Sequence, residues 1–188
     1  MDLPFFSIHG CKGTNKLRIK NYDLRKNVYL CTQNMMLELH NVTIGQQIHS
    51  LSLTVNDGQA LSLKGAQGSG KTTLLRAVVG LIAVDEGHIS IDGELLTPKS
   101  APFFRRQMAY VPQRLLVPQG YDKVPTDFVS LLRKAVESGK QLLIVDEPSK
   151  ELTMEERQVV NNLFREAQER GATVLAVNMV TAQNQVTL

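Results

Sequence analysis

An α/β fold with a mixed sheet is predicted for this chain by three features. Two segments between Met36 and Val55 alternate apolar and polar residues, the pattern of half-buried strands. A glycine-rich loop stands between a strand-like segment and a helix-like one. In the second half, short apolar runs alternate with helical segments, which implies a parallel sheet with helical cover.

The elements follow in order. Residues up to Asn34 show neither helical nor strand period, and the texture changes at Met35. Leu37–Val42 and Ser50–Val55 read as strands, and Ala60–Lys64 as another. Asn56-Asp57-Gly58 is a turn signal, so Ser50–Val55 and Gln59–Lys64 are expected to pair as a hairpin. A helix from about Lys71 places Leu74, Leu75, Val78 and Val79 on one face and ends at Gly80. Asp85-Glu86-Gly87 reads as a turn and His88–Gly93 as a short strand closed by glycine. Met108–Val111 and Leu142–Val145 are short apolar runs with polar punctuation, the pattern of buried strands. Between them Thr126 is expected to cap a helix that runs to Gly139. Thr153-Met154-Glu155-Glu156 has capping-box spacing and opens a helix with Val159, Val160, Leu163, Phe164 and Ala167 on one face. That helix stops at Gly171, and Thr173–Val177 is a further buried strand. The antiparallel part is expected between Met36 and Gly93, with a reduced helical region after it.

At 188 residues and 43% hydrophobic, the chain is long enough for one well-cored domain and too short for two ordinary ones. Up to Asn34 it carries six basic residues against two acidic ones, a net of +4 out of a total of +3. The remainder is therefore at −1, which argues against a nucleic-acid binder. Cys11 and Cys31 both lie in that first segment, and a core without cysteine fits a reducing cytosol. No apolar run reaches the roughly 20 residues that span a bilayer, and the start lacks the charged-then-apolar order of a signal peptide. The expected organisation is an extension over residues 1–35 and a domain over 36–188. The extension is expected to be dispensable to the fold, through a start assigned too far upstream. The alternative is a short added element, a strand through Lys16–Lys20 or Val28–Leu30.

Two motifs carry chemistry. Gly65-Ala66-Gln67-Gly68-Ser69-Gly70-Lys71-Thr72 fits G-x-x-x-x-G-K-[ST] without mismatch, after a strand and at the start of a helix. The glycines let the backbone curl so that amides point at phosphate oxygens, and the helix N-terminus adds positive potential. The cradle is local to Gly65–Thr73. Lys71 would reach the outer phosphates as a point charge, and the Thr72 hydroxyl would ligate Mg²⁺. In Leu142–Glu147, Asp146 emerges at the carboxyl end of a buried strand, where it can hold the Mg²⁺ hydration shell. Glu147, one residue on, is placed to accept a proton from an attacking water. Taken alone, that strand is a buried strand with a solvated tip. Paired with the glycine loop it points to nucleotide chemistry.

With GAQGSGKTT, LLRAVVGL, DEGHISIDGELL, MAYVPQ, LLIVDEPS and ATVLAV in this order, the chain resembles the nucleotide-binding domain of ABC transporters, a P-loop NTPase, from about Met36 onward. The resemblance implies Gln113, after Arg106–Pro112, as a ligand of Mg²⁺ and water that also senses a transmembrane partner. It also marks departures. The family's helical subdomain is reduced to Arg114–Asp122. Its LSGGQ signature should fall near Asp122–Thr126, which has no Ser-Gly-Gly and includes Pro125. The D-loop aspartate corresponds to Thr153. The switch histidine corresponds to Met179, with Asn178 as the nearby polar stand-in. The aromatic that stacks on adenine is missing near Ile44-Gly45.

The resemblance thus implies an ATP-binding subunit (GTP being the other candidate) of an ABC-type system, cytoplasmic or peripheral at the inner face of the membrane. Hydrolysis is expected to be weak or partner-dependent. The implied partners are a signature-bearing ABC subunit, as a heterodimer, and a membrane permease. The rival function is a non-catalytic module in which nucleotide occupancy stabilises a docking surface.

Overall fold

Asn56-Asp57-Gly58 does turn the chain, with the Gln59 amide donating to the Asn56 carbonyl at 3.0 Å, but the strands on either side of it lie in different sheets. The computed structural model describes residues 35–113, 127–146, 152–179, 182 and 184–188. In it β1 (Leu37–Ile44) and β2 (Ile48–Val55) form an antiparallel hairpin, which β4 (Glu86–Ile91) and the short β5 (Glu94–Leu95) extend to the order β2-β1-β4-β5. β3 (Ala60–Lys64) instead belongs to a second sheet with β6 (Met108–Val111), β7 (Leu142–Val145), β8 (Thr173–Val177) and β9 (Asn184–Thr187). That sheet is parallel throughout, in the order β6-β7-β8-β3-β9. The expected hairpin between Ser50–Val55 and Gln59–Lys64 is therefore corrected. Over Leu51–Val55, β2 hides alternate residues, while Ala60–Leu63 are all buried, as a central strand requires.

The burial of the parallel strands is divided by side. Leu61, Leu63, Leu142, Ile144, Leu175 and Val177 join one apolar cluster with the inner face of the antiparallel sheet and with α1 (Lys71–Val78). Ala60, Leu143, Val145, Val174 and Ala176 join another with α3 (Phe128–Glu137) and α4 (Met154–Glu169). The period of two along a strand thus places the P-loop helix on one side of the parallel sheet and the two later helices on the other. A five-residue α2 (Ala101–Arg105), unexpected from the sequence, sits before β6.

Local chemistry explains the boundaries. Gly80 takes φ 72° and ends α1, and the Leu81 amide donates back to the Arg76 carbonyl at 2.9 Å. The Thr153 capping box is formed in both directions, at 3.2 Å and 2.8 Å. The expected cap of α3 is corrected. Thr126 lies outside the described residues, and Asp127 is the N-cap, accepting from the Ser130 amide at 2.8 Å. That amide bond holds the Asp127 carboxyl below its usual range. The expected turn Asp85–Gly87 is corrected too. Glu86 and Gly87 are the first residues of β4, and Gly87, at φ 76°, faces β1 where the register slips between His40 and Thr43. A Cβ at Gly87 would stand 2.2 Å from the His40 carbonyl oxygen, so only glycine fits this bulge.

The expectations for residues 1–34 lie outside the described residues. Met35 is 1% exposed within the first cluster and so packs with the domain that follows.

Candidate functional site

The site stands at the carboxyl end of the parallel sheet, where β3 gives way to Gly65–Gly70 and α1 begins at Lys71. Gly65, Gly68 and Gly70 take φ 148°, 87° and 92°, which curls the loop as the motif requires. Ala66, Gln67 and Gly68 are exposed. Gly70 precedes α1 with no side-chain cap, and Lys71, Thr72 and Thr73 occupy the first turn, whose amides have no intrahelical acceptor. A loop of this shape offers N–H groups to an anion, reinforced by the helix terminus.

Lys71 is 8% exposed, and its Nζ donates to the carbonyls of Gly65 at 2.9 Å and Ala66 at 2.7 Å. The ammonium is therefore held across the mouth of the loop it belongs to. The Thr72 hydroxyl donates to Asp146 Oδ1 at 3.0 Å. Asp146 is 3% exposed and follows β7 directly, and its amide bonds the Val111 carbonyl of β6 at 2.9 Å. Two motifs separated by 74 residues of chain thus meet through one hydrogen bond. A hydroxyl and a carboxylate are hard oxygen donors of the kind Mg²⁺ takes, so Thr72 and Asp146 fit that cation.

Gln113 is exposed, two residues beyond the Val111 carbonyl that receives the Asp146 amide, and so stands at the same edge of the sheet. Glu147 lies outside the described residues, as do Asp122–Thr126. Asn178 follows β8 in a left-handed conformation at φ 53°, and its amide donates to the Leu63 carbonyl at the end of β3. Met179, at the expected histidine position, is buried in the second apolar cluster, away from solvent. Asn178 is thus the polar residue that the backbone brings beside the P-loop strand.

The structure adds residues that the sequence left unmarked. Ile44 packs into the first apolar cluster, so it presents no face to a purine. The β1–β2 hairpin instead meets the P-loop through Gln47 and Ile48. The Thr73 hydroxyl donates to Gln47 Oε1 at 3.1 Å, and a Cβ on Gly70 would stand 3.0 Å from both Gln47 Cβ and Ile48 Cγ1. Tyr110 of β6 lies beside Asp146. Burial first, and then the Asp146 charge, push its phenol above the usual tyrosine range, while Arg76 pulls it back. No periodicity or motif marks Gln47, because its role depends on a contact between two sheets.

The sequence profile of the ABC transporter family matches residues 48–125. The Fe(3+) ions import ATP-binding protein FbpC of Escherichia coli K12 is 47% identical over 73 residues, 37% of this chain and 21% of that protein. The spermidine/putrescine import ATP-binding protein PotA of Salmonella typhimurium is 50% identical over 50 residues, 27% of this chain and 13% of that protein. The matched stretches span about a fifth or less of these relatives' lengths. Among solved structures, an ATP-binding subunit of an ABC transporter superposes with a TM-score of 0.69 at 19% identity, covering 81% of this chain and 85% of that one. A dimeric ATP-binding cassette with ADP and phosphate gives 0.67 at 18% identity, covering 81% and 94%. The chain therefore carries the sequence pattern of the ABC transporter family over residues 48–125 and shares the fold of that family's ATP-binding domains.

Proposed function

We propose that this protein binds Mg-ATP as the ATP-binding subunit of an ABC-type system and hydrolyses it slowly or only with a partner. The observation that carries the reading is the meeting of Thr72 with Asp146 beneath a glycine loop that holds Lys71. In this reading the amides of Gly65–Thr73 and the Lys71 ammonium hold the phosphates. Thr72, Asp146 and Gln113 hold Mg²⁺, whose charge offsets that gathered on the phosphates. Glu147 takes the proton from the attacking water. The Lys71 ammonium exchanges its present carbonyl acceptors for phosphate oxygens, which are charged and therefore stronger.

The sequence has no Ser-Gly-Gly at the signature position and no histidine after β8. The site is accordingly half of a composite one, completed by a signature-bearing subunit, with a membrane permease as the further partner. Two relatives are named for different cargoes, Fe(3+) ions and spermidine or putrescine, so their names favour no particular cargo here. Among the described residues no helix is long and apolar enough to cross a membrane, which suits a subunit that borrows its membrane path from a permease.

The test is ATP titration of the full chain with Mg²⁺ present. Lys71→Ala is expected to weaken binding about 10- to 100-fold, the equivalent of the ~1.5–3 kcal/mol of a hydrogen bond to a charged group. Equal affinities in wild type and variant would overturn the reading.

A further inference from the structure

The outer face of the antiparallel sheet carries a second group of side chains with ligand chemistry. β1 and β4 run antiparallel with Glu38 opposite Ser90, Leu39 opposite Ile89 and His40 opposite His88. Leu39 and Ile89 are buried in the first apolar cluster, so the alternation along each strand turns Glu38, His40, His88 and Ser90 to the other face. Both imidazoles are exposed there, and they stack with ring centroids 4.8 Å apart and 27° between their planes. The Ser90 hydroxyl donates to Glu38 Oε2 at 3.3 Å, and Glu38 Oε1 stands 4.0 Å from His40 Nε2. The backbone under the pair is constrained as well. Gly87, next to His88, lies so close to the His40 carbonyl that no Cβ fits between the strands. The two rings therefore stay opposite each other, and only their side-chain torsions are free to adjust.

Protonated together, the two rings would repel as like charges opposite each other do. A cation shared between them instead uses the lone pairs of two neutral imidazoles. Two Zn–N bonds of about 2.0–2.1 Å at the tetrahedral angle put the ligating nitrogens about 3.3 Å apart. Rings with centroids 4.8 Å apart reach that spacing by tilting their edges together. We propose that His40 and His88 jointly bind a late first-row divalent cation of the Zn²⁺ class, with Glu38 as the carboxylate behind His40. Among the described residues no three His, Cys, Asp or Glu side chains are grouped to hold an ion. The site is accordingly a two-imidazole chelate whose remaining positions fall to water. A carboxylate beside the ring nitrogen that does not ligate fixes the tautomer and raises the basicity of the one that does. Glu38, bonded by Ser90, stands at His40 Nε2 for that role and leaves the other nitrogen for the cation. Imidazole suits Zn²⁺, Ni²⁺ and Cu²⁺, whereas oxygen donors suit Mg²⁺, so the site differs in chemistry from Thr72 and Asp146. The proposal does not depend on nucleotide binding.

The experiment titrates the metal-free full chain with ZnCl₂ by calorimetry, without nucleotide, and counts the equivalents bound. His40→Gln and His88→Gln are each expected to bind one equivalent fewer than wild type. His49→Gln, whose ring in the native chain lies 3.2 Å from the Gln46 carbonyl oxygen, is expected to bind as wild type does. Glu38→Gln keeps an acceptor for Ser90 and is expected to weaken the same equivalent about tenfold. An unchanged affinity in that variant would overturn the part given to Glu38. Zn²⁺ is also expected to raise the melting temperature of wild type more than that of either histidine variant, because the ion joins β1 to β4 only in the folded chain. Equal stoichiometry in wild type and both variants would sink the proposal and assign any bound ion to other ligands, such as Cys11 and Cys31. A loss confined to one variant rules out the chelate, which needs both rings. A wild-type chain that takes up no Zn²⁺ leaves a stacked pair that holds nothing, and the proposal fails. Both histidines are exposed, so the metal-free variants are expected to melt close to wild type. If His88→Gln melts far below it, His40→Gln against wild type decides the matter by the same criterion.

Discussion

A Cβ on Gly68 would meet nothing within 4 Å, whereas one on Gly70 would press against Gln47 and Ile48 at 3.0 Å. The two glycines have nearly the same positive φ, 87° and 92°, so an alanine at either loses about 1–2 kcal/mol to the left-handed conformation. Only at Gly70 must the β1–β2 hairpin also move. Gly68→Ala is therefore expected to lose about 1–2 kcal/mol of stability, and Gly70→Ala distinctly more, by denaturant unfolding of each. Similar losses at both positions would mean that the hairpin yields freely. The curled loop between β3 and α1 was legible in the sequence, because spacing and residue type alone define its pattern. The division of labour among its glycines was not, since Gly70 is constrained by residues over twenty positions away, in another sheet. For the same reason Gln47 escaped notice. That the hairpin touches the loop through Gln47 and Ile48 depends on a contact between segments far apart in sequence.

Elements whose cause lies within their own few residues were readable. β6, β7 and β8 appear where the short apolar runs put them, and α4 starts at the Thr153 capping box. Thr153→Ala removes the acceptor for the Glu156 amide at an exposed helix start. It is expected to cost about 1 kcal/mol, read as a lowered unfolding midpoint with an unchanged denaturant slope. A variant as stable as wild type would show that the box contributes nothing. Elements whose cause lies elsewhere were misread. Asn56–Gly58 announces a turn but cannot announce that the chain leaves one sheet for another. Glu86-Gly87 looks like a turn because glycine is there for the bulge, where the carbonyls of His40 and Asn41 leave no room for a side chain. Gly87→Ala should accordingly be more damaging than Thr153→Ala, by several-fold in lost stability, because backbone on both sides must shift. The strand β9 carries Asn184, Gln185 and Thr187 at a sheet edge, and its polarity hid it from a search for apolar runs. That polar composition is the kind that edge strands tolerate.

At the scale of the molecule, the two apolar clusters that join both sheets and the helices are drawn from Met35 onward among the described residues. Because residues up to Asn34 show neither helical nor strand period, a chain trimmed to begin at Met35 is expected to melt within a few degrees of the full chain. One beginning a residue later forfeits a buried methionine, the kind of loss worth about 2–5 kcal/mol. A large drop for the Met35 chain would assign the first 34 residues to the core. The proposed nucleotide site raises the further question of turnover. In the proposed reading the cradle and cation residues lie at one edge of the parallel sheet, so nucleotide binding is expected of this chain alone. Hydrolysis is different, because it requires donors that meet charge as it develops on the transferred phosphoryl group. The sequence has no Ser-Gly-Gly at the position proposed for the signature, and Met179, at the position proposed for the switch histidine, is buried. Loss of even one such donor costs about 10²–10³ in rate. The isolated chain is therefore expected to hold Mg-ATP with almost no phosphate release. Adding a subunit that carries a signature should raise the rate at least a hundredfold, as about one restored donor requires, and Glu147→Gln should abolish the increase while leaving ATP binding intact. Brisk turnover by the chain alone, lost in Glu147→Gln, would show that these departures do not limit it. No rise with any signature-bearing partner, at full ATP occupancy, would favour a module that uses nucleotide only to stabilise a docking surface.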